Sequence, residues 1–308
     1  DANGVLHFSD IPPSLSDAAV ETAPALSSDQ GPAPERPASD ADLSGEGVFW
    51  QIATAARPPS YLLGTIHSAD PRVLALQPSV LRAFDRAEVF VMEMTLEAQS
   101  FLTLGASMMF TDDRDLERLL GREDFRKVVA AAAGHPIPEA VLRKMKPWAV
   151  MALISQPAPQ SNPFMDMLLY QKANAAGKPV IGLESAAEQI AVFSQMPMAD
   201  QLALLRNSLD QAHQMPAMRE RMIETYLQGD LAAIADLAQT LAGQDPRGLN
   251  RRFIHRLNDA RNDRLVTRML PHIDAGGAFI AVGALHLTGE RGLIRQLRAR
   301  GYQLAPMP

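Results

Sequence analysis

The first of two segments that decide the fold is YLLGTIH at residues 61–67. An apolar run from Tyr61 to Leu63 precedes Gly64, and His67 stands three residues after that glycine. A short apolar run of this kind is typical of a buried strand. Glycine suits a strand end where the backbone or a ligand must approach closely. The segment therefore predicts a buried strand that carries His67 at its carboxyl end.

The same pattern returns near the C-terminus, where AFIAVG at 278–283 is followed by ALHLTG at 284–289. Gly283 and His286 repeat the Gly-x-x-His spacing after a predicted strand. A third match, Gly4 to His7, has no apolar run before it. The spacing alone is therefore not specific, and the preceding strands set the other two matches apart.

Strands and helices alternate around the first segment. VFWQIA at 48–53 and the 61–67 segment predict two strands joined by a proline turn at 57–59. A helix is predicted from Pro78 to Arg86, followed by a strand in EVFVMEM at 88–94. This strand, helix, strand unit predicts parallel pairing through a right-handed helical crossover.

The rest of the chain predicts a large helical content with three more strands. We predict a mostly helical region over 96–176, a strand at 179–183 with a helix from Ser185, successive helices over 202–241, one helix over 251–270, the strand at 278–283, a helix over 291–300 and a strand near 302–304. The predicted fold class is α/β, with a mostly parallel or mixed central sheet, flanking helices and a long helical insertion at about 97–176.

The domain organisation is predicted as a tail and one domain. Residues 1–46 are rich in Ala, Pro and Ser and predict a flexible tail, whereas 47–308 predict a single catalytic domain. The sequence starts with Asp1, which an excised secretory signal would explain, as would an artificial boundary. We expect a periplasmic or secreted protein, and a lipid anchor upstream is compatible with this.

Composition excludes several classes of protein. The formal net charge of −6 gives no basic field of the kind that nucleic-acid binding requires. No run of eighteen apolar residues occurs that could span a bilayer as a helix. The absence of cysteine excludes disulfides, thiolate metal sites and cysteine nucleophiles. Any metal must therefore be bound through nitrogen and oxygen.

Four polar residues follow predicted strands, namely His67, Glu93, Glu184 and His286. The carboxyl ends of parallel strands collect ligands at one edge of the sheet. An unpaired Glu93 carboxylate in an apolar strand would cost several kcal/mol to bury, so it needs a metal, an arginine or a histidine as partner. Two histidines and a carboxylate suit Mn²⁺, Co²⁺, Fe²⁺ or Zn²⁺ with open positions for water. The pattern predicts metal-activated hydrolysis.

Other motifs are less specific. Arg261 and Asn262 lie in an arginine-rich stretch that is typical of a solvated basic face. Lys146-Pro147-Trp148 is typical of a helix start with an aromatic anchor. The sequence has no Gly-x-Ser-x-Gly elbow, His-Glu-x-x-His helix or phosphate-binding glycine loop, which disfavours the serine hydrolases, zincins and nucleotide enzymes.

Taken in order, these motifs resemble the TraB/GumN family, relatives of the Tiki proteases. The two Gly-x-x-His segments carry the resemblance, and it extends from about Phe49 to the C-terminus. The intermediate motifs agree in order: Val91-Met92-Glu93, Lys146-Pro147-Trp148, Gly182-Leu183-Glu184 with Gln189, Arg261-Asn262, and Gly292-Leu293 to Gly301-Tyr302.

The resemblance implies an erythromycin-esterase/ChaN-like α/β fold and a metal-dependent peptidase that uses Mn²⁺ or Co²⁺. It implies that His67, Glu93 and His286 form the metal or catalytic centre, with Arg261 and Asn262 supporting it or a transition-state oxyanion. The family often has a Gly-x-Asp segment, and here Phe164 replaces that glycine before Asp166. The role of Asp166 is therefore left open.

Two other functions remain open alongside a metal-dependent peptidase. The first is a metal-free, esterase-like hydrolase in which His67 is the general base and Glu93 orients its imidazole. The second is a non-catalytic envelope protein that binds haem or a metal through the same histidines. The substrate under the enzymatic hypotheses is a peptide or a small molecule.

Overall fold

The two Gly-x-x-His segments follow neighbouring strands of one sheet. The computed structural model describes residues 47–53, 57–158, 162–243 and 248–308, so the predicted tail at 1–46 and the Gly4 to His7 match lie outside the described residues. Strand β2 (Ser60–Thr65) pairs in parallel with β5 (Ala278–Gly283). Every residue of both strands is buried, as expected for strands covered on both faces.

The sheet is mixed and has the strand order β4-β3-β5-β2-β1-β6. Its remaining strands are β1 (Phe49–Ala53), β3 (Val89–Met92), β4 (Val180–Gly182) and β6 (Gln303–Pro306). Strand β1 is antiparallel to both of its neighbours, whereas β4, β3, β5 and β2 are parallel. The predicted α/β class with a mostly parallel or mixed sheet is confirmed.

One pairing differs from the prediction. Strands β2 and β3 are parallel, but they do not pair with each other, because β5 lies between them and pairs with both. Strand β5 is apolar and fully buried, so it occupies the centre of the sheet although it comes more than 180 residues after β3. The order of strands therefore depends on a long-range pairing that the local spacing does not reveal.

Some helices pack against the sheet, and others pack on one another in a second apolar cluster. Their bounds are α1 (Pro71–Leu74), α2 (Pro78–Arg86), α3 (Ala98–Ser107), α4 (Leu116–Leu120), α5 (Arg122–Ala131), α6 (Glu139–Lys144), α7 (Pro147–Ser155), α8 (Met165–Ala175), α9 (Ala186–Ser194), α10 (Met198–Asp210), α11 (Met215–Leu227), α12 (Leu231–Gly243), α13 (Leu249–Leu257), α14 (Asp259–Ala275) and α15 (Leu293–Ala299). Within the described ranges, none of these helices is both long and apolar enough to cross a membrane.

The apolar side chains form two clusters. One surrounds the sheet and includes residues of α8, α14 and α15. The other lies among the helices and is built around α7, every residue of which is buried. Pro147 occupies the first turn of α7, and the Trp148 ring stacks on Phe193 with 5.4 Å between centroids. The predicted helix start and aromatic anchor are both present.

The predicted single helix over 251–270 is wrong, because the structure has two helices that meet at Asn258. The backbone of Asn258 departs from helical geometry at φ −116° and ψ −77°. Its side-chain amide donates to Asp259 Oδ1 at 3.2 Å and to the Leu285 carbonyl at 3.3 Å. The bond to Leu285, 27 residues away in sequence, holds Asn258 out of a continuous helix. Helix α14 consequently begins beside the turn that follows β5.

Candidate active site

Three strand ends place polar side chains at one edge of the sheet. Glu93 follows β3, His67 follows β2, and His286 lies in a 3₁₀ turn, Ala284–Leu287, that directly follows β5. Because β3, β5 and β2 are adjacent and parallel, their carboxyl ends meet at this edge. The structure therefore gathers all three residues although they are far apart in sequence.

The glycine of the first Gly-x-x-His segment makes room for the second histidine. A Cβ atom at Gly64 would lie 3.0 Å from Cα of Ala284 and 3.3 Å from Cδ2 of Leu287. Both of those residues belong to the 3₁₀ turn that carries His286. A side chain at Gly64 would therefore displace this turn, and with it the imidazole of His286.

Asn262 fixes the position of the proton on His286. The Asn262 Nδ2 donates to the Arg291 carbonyl at 2.9 Å, and its Oδ1 lies 2.5 Å from Nδ1 of His286. An amide oxygen can only accept, so Nδ1 carries the hydrogen and Nε2 of the neutral ring carries a lone pair. This Nε2 is buried without a hydrogen-bond partner among the described residues. It lies 3.6 Å from Oε1 of Glu93.

Glu93 is held as a carboxylate by donors on both of its oxygens. Oε1 accepts from the Gly283 backbone N–H at 2.7 Å, and Oε2 accepts from Nη2 of Arg261 at 2.5 Å. Burial raises the pKa of Glu93, but the charge of Arg261 and the Gly283 amide lower it, and the pKa lies well below its ordinary range. The carboxylate therefore stays negative beside the lone pair of His286.

Arg261 connects Glu93 with Glu184, the residue two positions after β4. Its Nε and Nη2 donate to Oε2 of Glu184 at 2.9 and 2.5 Å, and its Nη1 donates to the Leu257 carbonyl at 2.9 Å. Arg264 donates to the other oxygen of Glu184. Burial lowers the pKa of Arg261, but Glu93 and Glu184 more than offset this effect and raise it overall. The guanidinium is thus directed at two carboxylates and a carbonyl.

Asp166 orients His67. Its Oδ2 lies 2.8 Å from Nδ1 of His67, and its Oδ1 accepts from the Thr65 hydroxyl at 2.8 Å. A carboxylate accepts only, so Nδ1 of His67 carries the hydrogen and Nε2 is the basic nitrogen of the neutral ring. The metal-free hypothesis gave this orienting role to Glu93. In the structure the residue in contact with Nδ1 of His67 is Asp166, and Glu93 is held by Arg261 and Gly283.

The titration of His286 is displaced from its ordinary range. Burial lowers the pKa of His286 to about 4, and Arg261 and His67 act in the same direction, whereas Glu93 and Glu184 oppose the shift. His67 also acts on Glu93 electrostatically. The three groups therefore share one electrostatic environment, in which His286 is neutral and Glu93 is charged at pH 7.

We expect this shift to make folding stability depend on pH. Between the ordinary value of 6.5 and the folded value of about 4, the unfolded chain binds a proton at residue 286 that the folded chain does not. The free energy of unfolding therefore decreases as pH falls through this window, by up to about 3 kcal/mol. Urea denaturation of wild type and His286→Gln at pH 7, 5.5 and 4.5 measures the effect. The variant should lose less stability than the wild type, and equal losses would contradict the assignment.

The donor atoms of the site suit a divalent cation. A carboxylate oxygen and a neutral imidazole nitrogen with a buried lone pair face each other at 3.6 Å, and both are ligands that first-row divalent metals accept. No group of three or more His, Cys, Asp or Glu side chains is arranged to hold a metal ion in the parts of the chain that the structure describes. The chemistry of Glu93 and His286 thus fits a cation, and the full set with His67 stays a prediction.

The predicted supporting residues, Arg261 and Asn262, both contact the site. Arg261 binds Glu93, and Asn262 binds His286. Their contacts are those of positioning residues, and a direct contact with an oxyanion stays a prediction. Sequence reasoning did not assign Asp166 or Glu184, although Glu184 was recognised as a residue after a strand.

Comparisons with known proteins give a consistent result. The model of the TraB/PrgY/gumN family matches residues 48–306. A protein of Escherichia coli (strain K12) named YbaP, described as uncharacterized, is 26% identical over 268 residues, which cover 84% of this chain and 96% of the relative. Metalloprotease TIKI2 of Danio rerio is 23% identical over 329 residues, which cover 89% of this chain and 63% of the relative.

Metalloprotease TIKI1 of Danio rerio is similar to a comparable degree, at 24% identity over 304 residues that cover 82% of this chain and 61% of the relative. The chain thus spans less than two thirds of the length of these metalloproteases. No solved structure matches the chain.

Proposed function

The chain belongs to the TraB/PrgY/gumN family, and on that premise we propose that it is a metal-dependent hydrolase, and specifically a peptidase. The observation that carries the proposal is the lone pair of His286 Nε2, buried beside the charged carboxylate of Glu93. The metalloproteases among the relatives support the reaction class. Glu93, His286 and His67 would hold the cation, with Mn²⁺ or Co²⁺ as the first candidates.

Each residue has a distinct part in the proposed reaction. A divalent cation bound there would polarise the scissile carbonyl and lower the pKa of water. Glu93, kept ionised by Arg261, would act either as a ligand of the cation or as the base that takes the proton of the attacking water. Asn262 keeps the basic nitrogen of His286 directed at Glu93, and Asp166 holds the Nδ1–H of His67, which leaves Nε2 as the basic nitrogen of that ring.

Metal removal and reconstitution test this proposal. Chelator-treated protein should regain peptidase activity with Mn²⁺, Co²⁺ or Zn²⁺, and calorimetry should show one bound cation per chain. His286→Ala should weaken cation binding at least tenfold, whereas His213→Ala, a change at an exposed histidine, should leave it unchanged. Equal cation affinity in the wild type and in His286→Ala would contradict the proposal.

The contact of His67 with Asp166 supports a second candidate, a metal-free hydrolase. An imidazole whose Nδ1–H is held by a carboxylate is the arrangement of a general base. In this case hydrolysis resists chelators, and Asp166→Asn lowers turnover by about 10⁴-fold. If the reaction depends on a metal, Asp166 hydrogen-bonds to the metal ligand His67 rather than to the metal itself, and Asp166→Asn lowers turnover by only about 10- to 100-fold. Turnover of Asp166→Asn with and without chelator separates the two.

A further inference from the structure

A cavity of about 520 Å³ opens beside His67. Its size is that of a small-ligand pocket. One wall is the segment from Ile66 to Pro71, which carries His67, and another is one face of α11. The apolar side chains that line it include Ile66, Met215, Met218, Met222, Ile223 and Leu237. We call this space the methionine cavity.

Helix α11 presents three methionines and one cation to the methionine cavity. Met215, Met218 and Met222 are spaced three and four residues apart, so they lie on the same face of the helix. Arg219 lies on that face between them and also lines the cavity. Methionine side chains are flexible and polarisable, and they adapt to apolar groups of different shapes. The face therefore suits apolar chains of varied shape next to a negative group.

Arg219 has no carboxylate partner within the described residues. It is half-buried, and its Nη1 donates to the Ser155 carbonyl at 3.5 Å. The two acids that line the same cavity, Asp70 and Glu220, are both held by Arg72, at 2.9 and 2.7 Å. Burial lowers the pKa of Arg219, but a guanidinium remains charged at neutral pH. A half-buried guanidinium next to apolar side chains is suited to pair with an anionic group on a ligand.

We propose that the methionine cavity binds the C-terminal end of a peptide substrate. The terminal carboxylate pairs with Arg219, and the apolar side chains of the last residues pack on the three methionines. His67 lines the same cavity, so the bond to be hydrolysed lies within a few residues of the free C-terminus. This inference rests on the proposed peptidase function and specifies its substrate class as peptides with apolar C-terminal residues.

Matched peptides test the inference. The probe is a fluorescein-labelled pentapeptide that ends in Leu-Met, prepared with a free carboxylate and with a C-terminal amide, and binding is measured by anisotropy. The free acid should bind the wild type about tenfold to a hundredfold more tightly, as expected for one charge-assisted hydrogen-bonded pair. Arg219→Gln should remove this difference, and Arg219→Lys should restore part of it. Arg221→Gln, a change at an exposed arginine of the same helix outside the cavity, should keep the full difference.

Several outcomes would overturn the inference. These are equal affinity of the acid and the amide for the wild type, a difference that survives in Arg219→Gln, or displacement of the peptide by decanoate at lower concentration than by unlabelled peptide. The last result would assign the cavity to fatty acids. Arg219-dependent binding without cleavage under any metal would instead contradict the peptidase function and leave the cavity assignment standing. Equal cleavage of the free-acid and amidated peptides would contradict the cavity assignment and leave the peptidase function standing.

Discussion

Glu93→Gln is expected to lower peptide hydrolysis by about 10²- to 10⁴-fold, the range for loss of a general base. Glutamine keeps the size of the side chain and an oxygen that can accept from Gly283, but it cannot take a proton from water. The negative charge that Arg261 and the Gly283 amide stabilise on Glu93 is lost in the glutamine variant. Initial rates of hydrolysis of a mixed peptide library at saturating metal, together with calorimetric cation titration, measure both consequences.

Glu88→Gln is the matched control for this change. Glu88 directly precedes strand β3, Glu93 follows the strand's other end, and the Glu88 side chain is exposed. The control should keep wild-type activity and cation affinity. If Glu93→Gln retained activity within a few-fold of Glu88→Gln, Glu93 would be neither a base nor a ligand, and its contacts would be structural alone.

The strands that carry the site could be predicted from the sequence because each is a short apolar run. Strand β5 has the predicted bounds 278–283, and helix α2 has the predicted bounds 78–86. The position of β5 between β2 and β3 could not be predicted, since strand order depends on which buried faces pack together across long sequence separations. The break at Asn258 was also missed because its cause is a bond to Leu285, 27 residues away.

In the site, too, some residues could be predicted from local sequence patterns, whereas others depend on contacts between distant parts of the chain. His67, Glu93 and His286 could be proposed as a group because each follows an apolar strand and parallel strands end at one edge. Asp166 follows no strand, and the Phe164 that replaces the family's glycine obscured its role. Its contact with His67 joins residues 99 positions apart. The signal that the sequence does offer is an acidic residue between two methionines, Met165 and Met167, in the first turn of α8.

Glu184 contacts neither histidine, but it takes part in the site through its buried ion pair with Arg261. Its side chain is fully buried, and it binds Arg261 and Arg264. Backbone bonds from Leu183 and Glu184 to Met92 and Glu93 continue the pairing of β4 with β3 beyond both strands. The carboxylates of Glu93 and Glu184 are thereby held on the same side of Arg261. One guanidinium compensates two acids, and its loss leaves both without their shared partner.

Arg261→Met is accordingly expected to destabilise the fold by about 3–5 kcal/mol, the usual cost of removing one member of a buried ion pair. Arg264→Met is the matched control, because the Arg264 side chain is 34% exposed and the buried Glu184 keeps Arg261 as its partner in that variant, so we expect a smaller loss of stability. Urea denaturation at pH 7 measures the difference in the free energy of unfolding between the two variants.

The pH dependence of the loss in Arg261→Met identifies its origin. In the wild type Arg261 holds the pKa of Glu93 low, so acid removes stability as Glu93 is protonated. Without Arg261, burial raises that pKa, and protonation relieves an unpaired charge. The deficit of Arg261→Met should therefore shrink between pH 7 and about pH 4.5. A deficit that is constant with pH, or no larger than that of Arg264→Met, would show that packing rather than charge accounts for the role of Arg261.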